Sequence, residues 1–238
     1  MARRAGDPRP AHQKLAAELR AQIMSGDLAV GQMLPSINEL SRDYSMAAAT
    51  VAKALAVLKA EGLVHSRRGK GVWVAPRSVV PIETTAHLTP AAGYRYELIA
   101  VAEVAPPDDV RQALGLYPDR PVIKRQRLLL QHDEPVELSA SYYDAVLARD
   151  TAIAEPKRIP GGAIRVLAEL GYTASSFVDR VSARMPTPEE TELLHLPPGT
   201  PVIRQLRVLK STADKPIEVS ILVKGGNRTE LLYTQDVG

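Results

Sequence analysis

The sequence predicts an α+β protein of two domains: an N-terminal domain of helices and a basic β-hairpin, and a C-terminal domain built on an antiparallel sheet. Three observations support this prediction. Helical periodicity and a hairpin pattern fill residues 11–76, the sequence repeats itself with an offset near 80 beyond residue 90, and the two parts carry opposite net charge. The 238 residues suffice for two domains, since one domain commonly takes about 100–200 residues.

The first predicted elements are a flexible arm over residues 1–10 and a helix over Ala11–Ser25. The arm carries three arginines among glycine and proline, a composition typical of a frayed terminus. In the helix, Leu15, Leu19 and Ile23 lie four residues apart and therefore share one face. We expect that face to pack in the core.

A second, short helix is predicted to begin after Ser36. Ser36 and Glu39 have the spacing of a capping box, in which each side chain accepts a hydrogen bond from the backbone N–H of the other residue. Ile37, Leu40 and Tyr44 then recur at helical spacing. These three residues are expected to form the apolar face of the helix.

A third, longer helix is predicted after a turn at Asp43–Met46, and it ends at Gly62. Its apolar positions repeat at helical spacing and are Val51, Ala54, Leu55 and Leu58. Two β-branched or aromatic runs then flank Arg67-Arg68-Gly69-Lys70-Gly71, a pattern typical of a basic β-hairpin. Helices followed by such a hairpin indicate a winged helix-turn-helix, in which a helix reads base edges while the cationic loop approaches the phosphates or the minor groove.

Segment 11–76 resembles the winged-helix domain of GntR-type bacterial transcription regulators. The matching residues are Leu34-Pro35-Ser36, Glu39-Leu40, Thr50-Val51, Ala54-Leu55, Leu58, Glu61-Gly62-Leu63, Gly69, Gly71 and Val74. The chain departs from the family at Asn38, Ala48 and Ala52, which replace three arginines. The resemblance implies that double-stranded DNA is the partner. The candidate DNA contacts are Ser36, Asn38, Ser45, Thr50, Lys53, Arg67, Arg68, Gly69 and Lys70.

The distribution of charge agrees with a polyanionic partner for the N-terminal part. Residues 1–77 contain twelve basic and six acidic side chains, a net charge of +6, whereas the remainder contains 18 basic and 21 acidic ones, a net charge of −3. The chain has no cysteine, which excludes disulfides, thiolate nucleophiles and cysteine-ligated zinc. Because there is no long apolar run and no charged leader, we expect no membrane span and a cytoplasmic protein.

Residues 77–90 are predicted to be a linker with some strand character, and residues 91–238 to form the second domain. The second domain contains two copies of one pattern, since Pro106–Ile123 aligns with Pro186–Ile203. The alignment continues in pairs, which are Arg127 with Arg207, Pro135 with Pro216, Glu137 with Glu218, and Ser139 with Ser220. Each copy predicts a helix, a strand, a turn and a second strand. Between the copies we expect one helix before Gly171 and one strand over Phe177–Ala183. Two copies favour one domain with internal pseudo-symmetry.

Residues 90–237 resemble the UTRA effector-binding domain of the HutC-like subgroup, which shares its fold with chorismate lyase. The motifs that carry the resemblance are Arg125-x-Arg127, Pro135-Val136-Glu137, Arg207 and Pro216-Ile217-Glu218-Val219-Ser220. The chain departs from the pattern at Lys224-Gly225-Gly226-Asn227-Arg228. The resemblance implies a homodimer on a pseudo-palindromic operator that responds to a small-molecule effector, most simply as a repressor.

The candidate effector contacts are Arg125, Arg127, Glu137, Glu218 and Lys224. Arg125 and Arg127 lie two residues apart on a predicted strand and so face the same side, which suits a bidentate grip on a carboxylate or phosphate. An exposed strand with alternating arginines is the alternative. Glu137 and Glu218 occupy equivalent places in the repeat and are either polar ligand contacts or cross-strand ion-pair partners.

Other functions are weaker predictions. An enzyme with a lyase-like second domain is one alternative, but the five histidines are scattered and no nucleophile elbow, metal pair or phosphate loop is present. We therefore predict no catalytic residue, no cofactor and no metal. A second alternative is a regulator whose C-terminal domain only dimerises. A third is an interaction protein with a vestigial head, against which the cationic hairpin argues. The prediction is a cytoplasmic bacterial protein, associated with the nucleoid when bound to DNA.

Overall fold

The protein is described by a computed structural model over residues 7–67, 69–76, 80–83 and 93–234. The chain forms two compact units, one of residues 1–78 with 197–199 and one of residues 79–196 with 200–238. Most of the predicted linker and arm, and Arg68 of the hairpin, lie outside the described residues.

The first unit contains three helices and a two-stranded antiparallel sheet, in the order that the sequence predicts. The elements are α1 (Ala11–Ser25), α2 (Ile37–Asp43), α3 (Ala48–Ala60), β1 (Val64–Arg67) and β2 (Gly71–Val74). Apolar side chains from all of them form one core, and Val51, Ala54 and Leu58 of α3 are completely buried in it. Gly62 has φ +72°, a left-handed conformation that glycine adopts at low cost, and it ends the turn after α3.

The capping box of α2 is present. The Glu39 N–H donates to Ser36 Oγ at 3.2 Å, and the Ser36 N–H donates to the Glu39 carboxylate at 2.7 Å. The prediction for the apolar face of α2 was wrong at one position, because Ile37 is 39% exposed. Ile37 is the first residue of the helix and does not belong to the core cluster, whereas Leu40 is buried in it and Tyr44 packs against it.

The second unit is an antiparallel sheet with helices on it. Its elements are β3 (Val80–Glu83), β4 (Tyr94–Val104), α4 (Asp108–Leu114), β5 (Val122–Gln131), β6 (Glu134–Asp144), α5 (Ala145–Ala148), α6 (Gly162–Glu169), β7 (Ala174–Arg184), α7 (Pro188–Leu193), β8 (Val202–Ser211), β9 (Pro216–Gly225) and β10 (Thr229–Leu232). The antiparallel sheet has the strand order β4-β5-β6-β9-β8-β7, and β3 pairs with β10 in a separate parallel pair. The sequence predicts the repeated elements, α6 and β7, but it did not single out β4, α5 or β10.

The sheet has the pseudo-symmetry that the repeat predicts. The set β4-α4-β5-β6 corresponds to β7-α7-β8-β9, and the two sets meet where β6 pairs with β9. In the registration of β6 on β9, Ala140 lies opposite Ile221, and these two residues are also equivalent at the offset of 81. A pseudo-twofold axis therefore passes through this residue pair at the centre of the sheet.

The two faces of the sheet differ in what covers them. Helices α4 and α7 pack on one face, where Val110 and Leu114 of α4 meet Tyr142 and Val219 of the central strands. Residues of α5, α6 and the segment between them pack against one part of the other face, around Tyr143. The rest of this second face is open, and it carries most of the charged side chains of the candidate effector site.

Candidate DNA-binding surface and effector cavity

The hairpin β1-β2 presents its basic side chains at an exposed tip. Arg67 pairs with Gly71 across the hairpin, and the Lys70 N–H donates to the Arg67 carbonyl at 2.9 Å to close the turn. Arg67, Gly69 and Lys70 are exposed. The Arg67 guanidinium lies over the Trp73 ring at 5.5 Å, a cation–π contact that orients this cation. The tip therefore combines two described cations with a glycine turn, which allows the backbone to approach a phosphate closely.

The candidate base contacts occupy the accessible parts of α2, α3 and the turn between them. Asn38, Ser45 and Lys53 are exposed and Thr50 is half-buried. The first turn of α3 is lined by small side chains, and Ala47 caps its N-terminus without a side-chain hydrogen bond. Ser36 has a second role, since its side chain already caps α2. The structure thus leaves the N-terminal half of α3 unobstructed.

One ion pair joins α1 to the end of α3, the helix on which Thr50 and Lys53 lie. The Arg20 guanidinium on α1 donates two hydrogen bonds to the Glu61 carboxylate at the end of α3, at 2.5 and 2.8 Å. Glu61 is largely buried, with 12% of its side chain exposed. A two-bond arginine–carboxylate pair has defined geometry and holds the two helices in register.

The open face of the large sheet forms a cavity of about 1030 Å³. All five predicted effector residues line it, from strands β5, β6 and β9. The other polar residues that line it include Tyr94, Arg95, Tyr96, Ser139, Tyr143, Arg158, Arg165, Gln205, Arg207 and Ser220. The five residues therefore line one cavity, although they are up to 99 positions apart, from Arg125 to Lys224.

Arg125 is used mainly to hold a segment of the cavity wall. Its guanidinium donates to the carbonyl oxygens of Ile153, Glu155 and Lys157 at 2.7, 2.8 and 2.7 Å. Burial lowers the pKa of Arg125, and the nearby Arg127 lowers it further. Arg125 and Arg127 do face the same side, but three N–H groups of Arg125 already have backbone partners.

Arg127 is a cation of the cavity wall whose guanidinium is only partly used by contacts within the protein. Its Nη2 donates to Ser141 Oγ at 2.7 Å and its guanidinium lies over the Tyr96 ring at 5.1 Å. Its Nε is buried and has no hydrogen-bond partner in the described parts of the chain. Burial alone would lower the pKa of Arg127, but Tyr143, Glu218 and other neighbours together raise it. Arg127 is therefore a charged group without an ion-pair partner among the described residues.

The two glutamates of the repeat have different partners. Glu137 forms a cross-strand ion pair with Lys224 at 2.8 Å, and Lys224, which is fully buried, also donates to Gln205 Oε1 at 3.0 Å. Glu218 accepts a hydrogen bond from Ser220 at 2.6 Å. For Glu137, the cross-strand ion pair that the sequence left open is present, at the wall of the cavity.

The sequence analysis missed several residues of the cavity. Tyr96 lies on β4, a strand that was not predicted, although its alternating pattern is visible in the sequence. Gly161 and Gly162 line the cavity at the start of α6, with φ +77° and +75°. A side chain at Gly161 would also collide with Arg165, since an added Cβ would lie 2.8 Å from Arg165 Cδ. The two glycines bring the uncapped N-terminus of α6 to the cavity wall.

The described residues contain no group of three or more histidine, cysteine, aspartate or glutamate side chains that could hold a metal ion. No helix among them is long and apolar enough to cross a membrane.

Comparisons with known proteins agree with both halves of this description. A family model described as bacterial regulatory proteins, gntR family, matches residues 11–74, and a UTRA domain model matches residues 92–230. An uncharacterised HTH-type transcriptional regulator of Streptomyces coelicolor is 31% identical over 94% of this chain and 92% of its own length. The HTH-type transcriptional regulator GgaR of Escherichia coli is 27% identical over 91% of this chain and 88% of its own.

Solved structures show the same fold. A crystal structure described as a GntR-family transcriptional regulator superposes with a TM-score of 0.67 at 23% identity, over 97% of this chain and 99% of that one. PhnF from Mycobacterium smegmatis superposes with a TM-score of 0.55 at 21% identity, over 94% of this chain and 100% of that one.

Proposed function

The chain belongs to the gntR family of bacterial regulatory proteins, as a DNA-binding transcription regulator with a UTRA effector domain, and we propose that it is a repressor that a small anionic effector releases from its operator. We propose further that it acts as a homodimer on a pseudo-palindromic site, and that it is not an enzyme. The observation that supports the proposal is the half-buried Arg127 in the wall of the cavity, which has no ion-pair partner among the described residues and a buried Nε without a hydrogen bond.

The contacts with DNA divide into two kinds. Arg67 and Lys70 at the hairpin tip, with Arg68 outside the described residues, supply charge for phosphates. Asn38, Thr50 and Lys53 supply the hydrogen bonds for base edges, and Ser45 assists them. Because alanines replace arginines on α3, apolar contacts with thymine methyl groups replace part of the usual guanine recognition. The predicted operator is less guanine-centred than that of an arginine-bearing helix.

The preference for an anionic effector follows from the electrostatics of the cavity. A half-buried guanidinium without a carboxylate partner loses part of its hydration, and an incoming anion compensates that cost. The N-terminus of α6 at Gly161 and Gly162 lies on the same cavity and adds a partial positive charge. Phosphate monoesters, sulfate monoesters and carboxylic acids are the ligand classes that this arrangement suits.

Release of DNA requires that the effector binds the DNA-competent and the DNA-incompetent states of the dimer with different affinities. A ligand that binds both states equally does not change the equilibrium between them. Strand β9 carries Glu218, Ser220 and Lys224 and is followed after three residues by β10, which pairs with the linker strand β3. β3 is in turn continuous in sequence with the DNA-binding domain. We propose that this pairing transmits the state of the cavity to the linker.

The experiment that tests the function begins with selection of DNA fragments by the purified full chain. The selected sequence, placed upstream of a reporter gene, should lower expression when the protein is produced. Addition of anionic metabolites one by one should then restore expression with one of them. Failure to enrich any sequence contradicts the function, and enhanced expression contradicts the repressor assignment.

A further inference from the structure

The pseudo-symmetry of the sheet places a second arginine in the environment of Arg127. Arg207 on β8 is equivalent to Arg127 on β5, and both line the cavity. Each arginine lies over an aromatic ring from the neighbouring edge strand, Arg127 over Tyr96 at 5.1 Å and Arg207 over Phe177 at 4.1 Å. Tyr96 and Phe177 are themselves equivalent at an offset of 81. The two guanidinium groups therefore lie at equivalent positions of the pseudo-repeat, and each is stacked on an aromatic ring.

The two sites differ in the residue that lies opposite each arginine. In the strand pairing, Arg127 lies opposite Leu98, whereas Arg207 lies opposite Asp179. Arg207 donates to both oxygens of the Asp179 carboxylate, at 2.8 and 2.7 Å, and the same carboxylate accepts from Gln205 at 2.7 Å. The side chains of both partners are buried, with 9% and 6% exposed. The carboxylate that Arg207 binds therefore comes from the protein itself.

We propose that Asp179 is a specificity-determining residue, an internal counterion that fills the anion subsite at Arg207, so that an anionic group of the effector binds at Arg127 and not at Arg207. The inference rests on the proposed function in so far as Arg127 is the site that remains open. Arg127 and Arg207 are separated by three strand spacings, roughly 14 Å at about 4.8 Å each. The subsite that Asp179 closes is thus distinct from the one at Arg127 and would otherwise admit a second anionic group.

Removal of the Asp179 charge should open this subsite. The Asp179→Asn variant keeps the shape of the side chain and its acceptor for Gln205 while removing the negative charge. Asp179→Leu copies the residue at the equivalent position, Leu98, beside which an unpaired arginine is already accommodated. Either variant should convert Arg207 into a second copy of the Arg127 arrangement.

The measurement is the number of sulfate ions bound per chain, by equilibrium dialysis of the full-length protein with radiolabelled sulfate at constant ionic strength. Only differences between variants are used, because the basic head also attracts sulfate. Asp179→Asn should bind one more sulfate than the natural chain, and the double variant Asp179→Asn, Arg207→Gln should lose it. Arg207→Gln alone should bind the same number as the natural chain.

Two outcomes would overturn the proposal. The first is a folded Asp179→Asn or Asp179→Leu protein that gains no sulfate. The second is a loss of sulfate in Arg207→Gln alone, which needs no Asp179 variant and shows that Arg207 is already open. The proposed function is tested separately by Arg127→Gln, which should bind one sulfate fewer. If that loss is absent while Asp179→Asn still gains a site, the role of Asp179 stands and the anionic effector at Arg127 is wrong.

Discussion

Ser141 and Ser220 face each other across the two central strands of the sheet, with their hydroxyl oxygens 2.7 Å apart. Ser141 accepts a hydrogen bond from Arg127 and Ser220 donates one to Glu218. Since the Ser220 hydroxyl proton is used toward Glu218, Ser141 is the donor of the hydrogen bond between the serines. The two serines therefore form a directed chain that joins the open cation of the cavity to a carboxylate on the other half of the pseudo-repeat.

The serine chain should be detectable as coupling in stability. Ser141→Ala leaves Nη2 of Arg127 without this acceptor, and we expect it to lower the free energy of unfolding of the second domain by about 1–3 kcal/mol. The double variant with Ser220→Ala should cost less than the sum of the single variants, because both belong to one network. The measurement is chemical denaturation followed by near-ultraviolet circular dichroism of the tyrosines.

Ser139→Ala is the matched control for that cycle. Ser139 is as buried as Ser141 and lies on the same strand. Among the described residues, its hydroxyl donates one hydrogen bond, to the Arg127 carbonyl at 3.3 Å. It should show no coupling with Ser220→Ala. Additive costs for the Ser141 and Ser220 variants would show that the serines act independently.

The hairpin tip should contribute charge rather than sequence preference. Arg67→Ala and Lys70→Ala should each weaken binding to every DNA sequence and reduce the log–log salt slope of the binding constant by about 0.9. The control is Lys59→Ala, an exposed cation in the last turn of α3, which should leave the slope unchanged. The slope is measured by titrating labelled DNA over a range of salt concentrations, and an unaltered slope in the hairpin variants would remove the tip from the interface.

Helix α3, the proposed recognition helix, should contact fewer guanines than a helix that carries arginines at the same positions. Sites selected by the natural chain should depend on Asn38, Thr50 and Lys53, and Lys53→Ala should relax preference at individual base pairs. Ala52→Arg should shift the selected sequences toward guanine, since arginine binds the O6 and N7 atoms of guanine in a bidentate manner. Sequencing of the selected fragments checks both expectations. Guanine-dominated sites for the natural chain would contradict this assignment.

Ser36 should act as a helix cap in addition to its proposed contact with DNA. Ser36→Ala should lower the free energy of unfolding of the first domain by about 0.5–2 kcal/mol, because Ser36 Oγ satisfies the Glu39 N–H. Ser36→Asp retains an acceptor and should retain most of that stability. The fluorescence of Trp73, the one tryptophan of the chain, follows this domain alone during denaturation. Equal stability of the natural and Ser36→Ala proteins would remove the capping role.

The sequence is informative where a pattern repeats and less informative where distant segments meet. The alignment of Arg127 with Arg207 and of Glu137 with Glu218 predicts the paired strands of the sheet, and in the structure all four residues line the cavity. Strand β4 was missed because it precedes the aligned part of the first copy, and with it Tyr96.

The roles of individual charges depend on contacts that no spacing reveals. Arg125 binds carbonyls of Ile153, Glu155 and Lys157, which lie 28 to 32 residues away in an irregular segment. Asp179 becomes a candidate only when the offset of 81 is extended to the edge strands, where Leu98 is its equivalent. Sequence periodicity indicates which face a side chain occupies, but it does not show whether that side chain already has a partner.

Operator affinity with and without the inducing anion tests whether the effector binds at the guanidinium of Arg127. The Arg127→Gln protein and the natural chain are compared, with the metabolite that the reporter screen identifies. Arg125→Gln is less suitable, since it also releases the segment that Arg125 holds. We expect the operator affinity of Arg127→Gln to lie within about twofold of that of the natural chain, a difference well below 1.4 kcal/mol. We also expect this variant to stay bound to the operator when the anion is added. A folded Arg127→Gln protein that still responds fully, or that has lost operator binding without the anion, would contradict the account.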